Sequence, residues 1–196
     1  MEGGVESGKK IILFISGSLR KGSYNLQLSR KASSILEEYF ECRFLSYDDI
    51  PYLDQDVEFP PPSSVERVRT EVESASVVWI STPEYNHSYS GVLKNLLDWL
   101  SRPREAGNYD SAVIRGKLIA LSAVAGSSGG SFALGKLEEL MEMFSCSVIK
   151  SVVKVALGSR FGEEVLTLDG KEEEVLEKEC SEILSLFQSE ERSVFP

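Results

Sequence analysis

The sequence predicts a doubly wound α/β domain, with a five-stranded parallel sheet in the order 2-1-3-4-5 and helices on both faces. Three observations lead there. Short apolar runs without strict alternation recur along the chain, as in strands covered on both faces. Each is followed by a segment whose apolar residues return at helical spacing. Right-handed crossovers between parallel strands then leave the doubly wound arrangement. A length of 196 residues suits one domain with a sizeable core rather than two.

The elements follow in order. Ile11 to Ile15 form the first strand, after Lys9-Lys10. From Ser23 the period changes, and Leu28, Ala32, Ile35 and Tyr39 mark a helix. Cys42 to Leu45 read as the second strand. Tyr47 to Pro62 is a long loop with four prolines. Val65, Val68, Val72 and Ala75 share a helix face, and Val77 to Ile80 make a third strand. Val92, Leu93, Leu96, Leu97 and Leu100 mark the third helix, followed by a polar connection from Arg102 to Gly116. Leu118 to Leu121 form the fourth strand. Gly129-Gly130 introduce a helix bearing Leu134, Leu137, Met141 and Phe144. The fifth strand lies within Val148 to Leu157, and Leu166 to Gly170 read as a short extra strand or turn. Leu176, Cys180, Ile183 and Phe187 mark the last helix. Residues 1–9 read as a frayed tail and 10–190 as the domain.

Charge and composition narrow the function. The formal net charge of −10 argues against nucleic-acid binding, which needs a basic face. The three cysteines form no C-x-x-C pair, so a disulfide framework or zinc site is not expected, and reduced thiols in a cytoplasmic protein are. His87, the single histidine, excludes a multi-histidine metal site. No apolar run approaches the roughly 20 residues of a membrane span. Met1 to Lys10 lack the apolar core of a secretory signal.

In this fold ligands bind at the carboxyl ends of the strands, near the point where strand order reverses. The unusual residues cluster there, in three loops. Ser16 to Asn25 opens the first helix, where unpaired N–H groups and the helix dipole favour an anion. Ser18, Ser23 and Asn25 add neutral donors, and Arg20 adds a charge-assisted fork for phosphate. Helix capping alone explains Ser23 but neither Arg20 nor Ser18. The pattern is neither a Walker loop nor G-x-G-x-x-G. The second loop, Ser81 to Gly91, carries Pro83, Glu84, Tyr85 and Asn86, suited to the polar edge and face of a flat heterocycle. The third, Ala125 to Ser131, is glycine-rich and allows close backbone approach to a ligand.

Two of these segments, Gly17-Ser18-Leu19-Arg20-x-x-Ser23-x-Asn25 and Pro83-Glu84-Tyr85-Asn86-x-Ser88 through Asn95, Asp98-Trp99 and Ser101-Arg102, resemble the NADPH-dependent FMN reductase family, which includes flavin-containing quinone, chromate and azo-dye reductases. The resemblance runs from about Lys10 to Gly170 and implies a single flavodoxin-like domain. It also implies FMN as cofactor and NADPH or NADH as electron donor. Ser18, Arg20, Ser23 and Asn25, with Tyr24 beside them, would hold the FMN phosphate. Pro83, Glu84, Tyr85 and Asn86 would contact the isoalloxazine, and Gly126, Ser128, Gly129 and Gly130 the other rim. Family members are often dimers or tetramers. A homodimer or homotetramer is therefore expected, with Trp99 and the apolar side of the third helix near the contact. One departure is that many relatives carry an arginine shortly after the glycine pair, where Ser131-Phe132-Ala133 stand here. The Arg102 to Gly116 connection also looks longer than usual.

On this reading the flavin carries the chemistry and the protein positions it, so no catalytic side chain is assigned. Quinones are the expected acceptors. Two alternatives stand beside it: a reductase that releases reduced FMN, and a flavodoxin-like electron carrier. The acidic surface suits a carrier, but the first loop lacks the Thr-Gly-x-Thr pattern that flavodoxins share.

Overall fold

The computed structural model describes residues 9–193, so all but Lys9 of the tail expected at residues 1–9 lies outside the described residues. The strands are β1 (Ile11–Ser16), β2 (Glu41–Phe44), β3 (Val77–Thr82), β4 (Leu118–Ala125), β5 (Ser147–Val148) and β6 (Val153–Ala156). The helices are α1 (Tyr24–Leu36), α2 (Ser63–Ser74), α3 (Gly91–Ser101), α4 (Ser131–Met143) and α5 (Gly170–Ser193). All strand pairs are parallel, in the order β2-β1-β3-β4-β5, with β6 also on β4. This is the flavodoxin-like order that the sequence predicts.

The fifth position departs from expectation, because a bulge divides it. β5 pairs residues 147–148 with 118–119, and β6 pairs 153–156 with 122–125. Residues 149–152 therefore stand opposite only Ala120 and Leu121. Extra residues in a strand leave ladder groups unpaired. Two carboxylates from α5 take them: Ser151 N–H donates to Glu182 at 3.0 Å and Val153 N–H to Glu179 at 3.1 Å. The segment from Leu166 to Gly170 forms no strand. Asp169 instead caps α5, accepting from the N–H groups of Lys171 and Glu172, both at 2.9 Å.

The sheet separates two apolar clusters. α2, α3 and α4 cover one face through Val68, Val72, Leu93, Leu96, Leu97, Leu134, Leu137 and Met141. α1 and α5 cover the other through Leu28, Ala32, Leu36, Leu176, Cys180 and Ile183. On α1 the buried stripe is Leu28, Ala32 and Leu36, at four-residue spacing. Ile35 and Tyr39, expected on that face, are exposed, and Tyr39 lies past the helix end. Small Ser29 and Ser33 fill the buried side instead and let α1 sit close to the sheet. The Ser29 and Ser81 hydroxyls lie 2.8 Å apart, and Ser81 and Ser122 2.6 Å apart. The indole N–H of Trp79 donates to Ser122 at 2.9 Å. Each hydroxyl of this Ser29–Ser81–Ser122–Trp79 series, and the indole N–H, thus has a partner, as burial requires.

Trp99 corrects a second expectation. It is wholly buried within its own chain, and its indole N–H donates to Pro51 O at 2.9 Å. Asn95 works alongside, donating to Pro51 O at 2.9 Å and accepting from Leu53 N–H at 2.9 Å. Arg102 grips the buried Glu58 through two bonds of 2.9 and 3.0 Å. Trp99, Asn95 and Arg102 of the second motif thus tie down the proline-rich loop within the chain.

Candidate functional site

A cleft of about 470 Å³ opens at the carboxyl ends of β1, β3 and β4. Its lining includes Ser18, Arg20, Ser23, Tyr24, Asn25, Pro83, Glu84, Tyr85 and Gly126, nine of the residues singled out in the sequence. Asn86, Ser128, Gly129 and Gly130 are not among its walls. Ala125, which begins the third loop, is, and so are Val124, Leu157, Phe161 and Gly162, which the sequence reading missed. The clue to the last three is positional. They follow β6, so they fall on the same sheet edge as the other three loops, and Gly158 and Gly162 punctuate the turn.

The first loop is held against the second by small residues. A Cβ on Gly17 would lie 3.2 Å from both Pro83 Cδ and Thr82 Oγ1, so only glycine fits without a shift. Gly17 N–H donates to Ser81 O at 2.7 Å, and the Ser90 hydroxyl, which caps α3, donates to Gly17 O. Tyr47 donates its hydroxyl to Ser16 O, and burial pushes that phenol up, so it remains a neutral donor.

Ser23 caps α1, accepting from Leu26 N–H at 3.3 Å. The Tyr24 and Asn25 N–H groups are left at the helix mouth, where a first turn has no intrahelical acceptors. Asn25 plays a different part from the one expected. Its carboxamide is taken by the Val124 peptide, with bonds of 3.1 Å to the carbonyl and 2.9 Å from the N–H, which fixes α1 to β4. Arg20 lies over the Tyr24 ring at 5.1 Å and, among the described residues, has no carboxylate partner.

The second loop closes as a tight hairpin. Tyr85 and Ser88 exchange backbone bonds of 2.8 and 3.0 Å. Asn86 and His87, between them, have φ of +52° and +56°, as a type I′ turn requires. His87 stacks on Phe132, with centroids 4.2 Å apart, which ties the turn to the start of α4.

Glu84 links the second loop to the third. It accepts from the Ser128 hydroxyl at 2.7 Å and from the N–H groups of Phe132 and Ala133 at 3.0 and 3.2 Å. Gly130, at the N-cap of α4, has no side chain to do this, so Glu84 caps the helix from outside. Burial raises the Glu84 carboxyl, but the Ser128, Ala133 and Phe132 bonds, together with His87, outweigh it and hold the group below its usual range. Gly129 and Gly130 face the sheet rather than a ligand. Gly130 has φ +85°, and a Cβ there would lie 2.3 Å from Ala123 Cβ.

The cleft therefore has an open anion-binding end, an apolar floor at Val124 and Leu157, and aromatic residues at its edge. An uncommitted guanidinium and two free helix-terminal N–H groups match a phosphate, and the apolar floor matches a flat ring system. The residues fit FMN.

The model of the NADPH-dependent FMN reductase family matches residues 11–159. The chain belongs to that family. The family is described by its dependence on NADPH and its reduction of FMN. An NAD(P)H-dependent FMN reductase of Pseudomonas aeruginosa is 42% identical over 97 residues, covering 48% of this chain and 51% of that one. A probable NADPH:quinone oxidoreductase of Oryza sativa subsp. japonica is 37% identical over 145 residues, covering 71% and 68%. These matched segments span about half to two thirds of the curated relatives' own length. Among solved structures, the flavoenzyme NAD(P)H:(acceptor) oxidoreductase FerB of Paracoccus denitrificans superposes with a TM-score of 0.74 at 26% identity, covering 89% of this chain and 95% of that one. No helix of the described residues is long and apolar enough to cross a membrane.

Proposed function

We propose that this FMN reductase family member reduces quinone-type acceptors by two electrons at the expense of NAD(P)H, with the flavin retained in the cleft. The observation that carries the reading is the joining of Arg20, the α1 mouth, Tyr85 and an apolar floor in one cleft. Bound FMN would supply the redox chemistry, accepting a hydride from NAD(P)H and passing it on to the acceptor. Arg20 and the Tyr24 and Asn25 N–H groups hold the phosphate, with the Ser18 and Ser23 hydroxyls beside them. Asn25 serves by fixing the helix mouth against β4. Pro83 and Tyr85 contact the isoalloxazine, and Gly126 leaves room at its other rim. Glu84 and Ser128 act one step back, by holding the second and third loops together. Relatives named as quinone oxidoreductases favour a quinone as acceptor.

Retention of the flavin is supported by a binding end that combines a full charge with helix-terminal donors. The test is anaerobic gel filtration after reduction with NADPH, followed by a turnover panel of quinones, azo dyes and free FMN. Flavin that co-elutes with protein, with a quinone as the best acceptor, supports the reading. Reduced flavin eluting alone, with turnover proportional to added FMN, supports the flavin-releasing alternative.

A homo-oligomer is part of the proposal, by a different surface from Trp99. Leu19, Tyr52, Tyr85 and Val92 are exposed around a second hollow of about 420 Å³ beside Arg20. Clustered exposed apolar side chains favour a protein contact, and light scattering at micromolar concentration tests it. The three thiols, free in the fold, suit a reducing cytoplasmic setting.

A further inference from the structure

The loop after β6 carries an aromatic residue to which neither core packing nor the roles proposed above assign a part. Phe161 lines the cleft yet is 76% exposed, whereas Val124 and Leu157 in the same cleft are 2% and 5% exposed. The cleft thus has an inner apolar floor and an outer aromatic rim. Among the described residues Phe161 stacks on no other ring.

The loop beneath it is firmly held. Gly162 N–H donates to the Tyr24 hydroxyl at 3.1 Å, and that hydroxyl donates to Glu163 O. Gln27 donates to Glu164 O at 3.0 Å and accepts from Leu166 N–H at 2.7 Å. Arg160 grips Glu172 at 2.6 and 2.8 Å and also donates to Thr167 O at 2.7 Å. These anchors come from α1 and α5, so the ring projects from a preorganised support. Because the ring stands in the wall of the cleft, this support presents it to whatever enters there.

We propose that Phe161 is the outer wall of the acceptor site, stacking on a planar, neutral aromatic acceptor that enters over the cofactor. The proposal rests on the FMN reading above. Val124 and Leu157 would hold a flat cofactor at the floor, and Phe161 at the rim would remain available to a second planar ligand. Exposed Glu163 and Glu164 lie two and three positions after Phe161, and their charge disfavours an anionic ligand there. A neutral quinone meets both conditions.

The test compares Phe161→Ala, Phe161→Leu and Phe161→Trp with the parent chain, each loaded with FMN. Naphthol, a planar ligand that the flavin cannot reduce, is titrated while the flavin absorbance is followed. Loss of one aromatic contact should weaken naphthol binding about three- to tenfold in Phe161→Ala. The KM for a naphthoquinone should rise by a similar factor while FMN affinity holds. Phe161→Trp should restore binding, and Phe161→Leu should do so only in part. Unchanged naphthol binding in Phe161→Ala would overturn the proposal. So would an equal loss of FMN and naphthol affinity, which would place the ring against the cofactor. If the parent chain takes up no FMN, the underlying reading falls first and this one with it.

Discussion

Ser128 donates a hydrogen bond to Glu84 at 2.7 Å and so joins the loop after β3 to the loop after β4. The same carboxylate caps α4 through Phe132 and Ala133. One side chain thus sets the distance between two walls of the cleft.

Glu84→Ala should cost about 0.5–2 kcal/mol of stability, the scale of a lost helix cap, and should weaken FMN binding as the two loops separate. The folded carboxyl is held below its ordinary value, so its stabilisation is present at neutral pH. It fades as pH falls through the lowered folded value. Urea unfolding of the parent and of Glu84→Gln should therefore converge in acid. A gap that stays constant down to low pH would show that the charge is not what caps the helix.

Arg20→Ala should weaken FMN by about 1.5–3 kcal/mol, the range for hydrogen bonds to a charged group. Arg20→Lys should recover part of this, since it restores the charge but not the fork. Raising salt should narrow the difference between parent and Arg20→Ala. Fluorescence titration of FMN reads all three effects, and equal affinity in the parent and Arg20→Ala would remove Arg20 from the phosphate site.

Two glycines of the third loop should separate structure from binding. Gly130→Ala forces a side chain into φ +85° and against Ala123, so it should cost more than about 1 kcal/mol of stability. Gly126 has open space around its Cβ direction and no positive φ, and it lines the cleft. Gly126→Ala should leave the melting temperature nearly unchanged and lower FMN affinity. If the two variants behave alike, the division of roles drawn from their surroundings is wrong.

The sheet order was legible because apolar runs and helical periods alternate cleanly, and the two motifs marked the sheet edge where the cleft opens. Side-chain roles were less legible. Asn25, Trp99 and Gly130 stand in or beside the motifs, yet they make internal contacts that depend on partners 99, 48 and 7 positions away. Spacing along a chain carries no signal for such pairs. Ile35 and Tyr39 misled because α1 packs through serines, and a count of apolar residues passes over small polar ones. Phe161 escaped because it sits in a loop without periodicity, and only the position of β6 brings it to the site. The bulge at residues 149–152 was invisible for a similar reason, since it exists only relative to β4.

That bulge leads to the last prediction. Glu179 is fully buried, and one carboxyl oxygen accepts from Val153 N–H while the other has no partner among the described residues. Burial, with a smaller contribution from Glu182, pushes its carboxyl well above the usual 4.5, against the Val153 and Leu121 N–H groups that pull it down. The folded state therefore binds a proton that the unfolded chain releases at lower pH. Stability must then fall as pH rises above the ordinary carboxylate value, and the fall must stop above the raised folded value. The slope can reach at most about 1.4 kcal/mol per pH unit for one proton. Neighbouring groups act outside this window. Glu182 is held low, chiefly by the Ser151 hydroxyl, and Cys180 is pushed up to about 12 by burial. Glu179→Gln keeps an acceptor for Val153 N–H and removes the titration. Urea unfolding as pH rises above the ordinary carboxylate value should show the parent losing stability relative to Glu179→Gln. Parallel profiles would mean that Glu179 is ionised throughout, and that the Val153 and Leu121 N–H groups outweigh its burial.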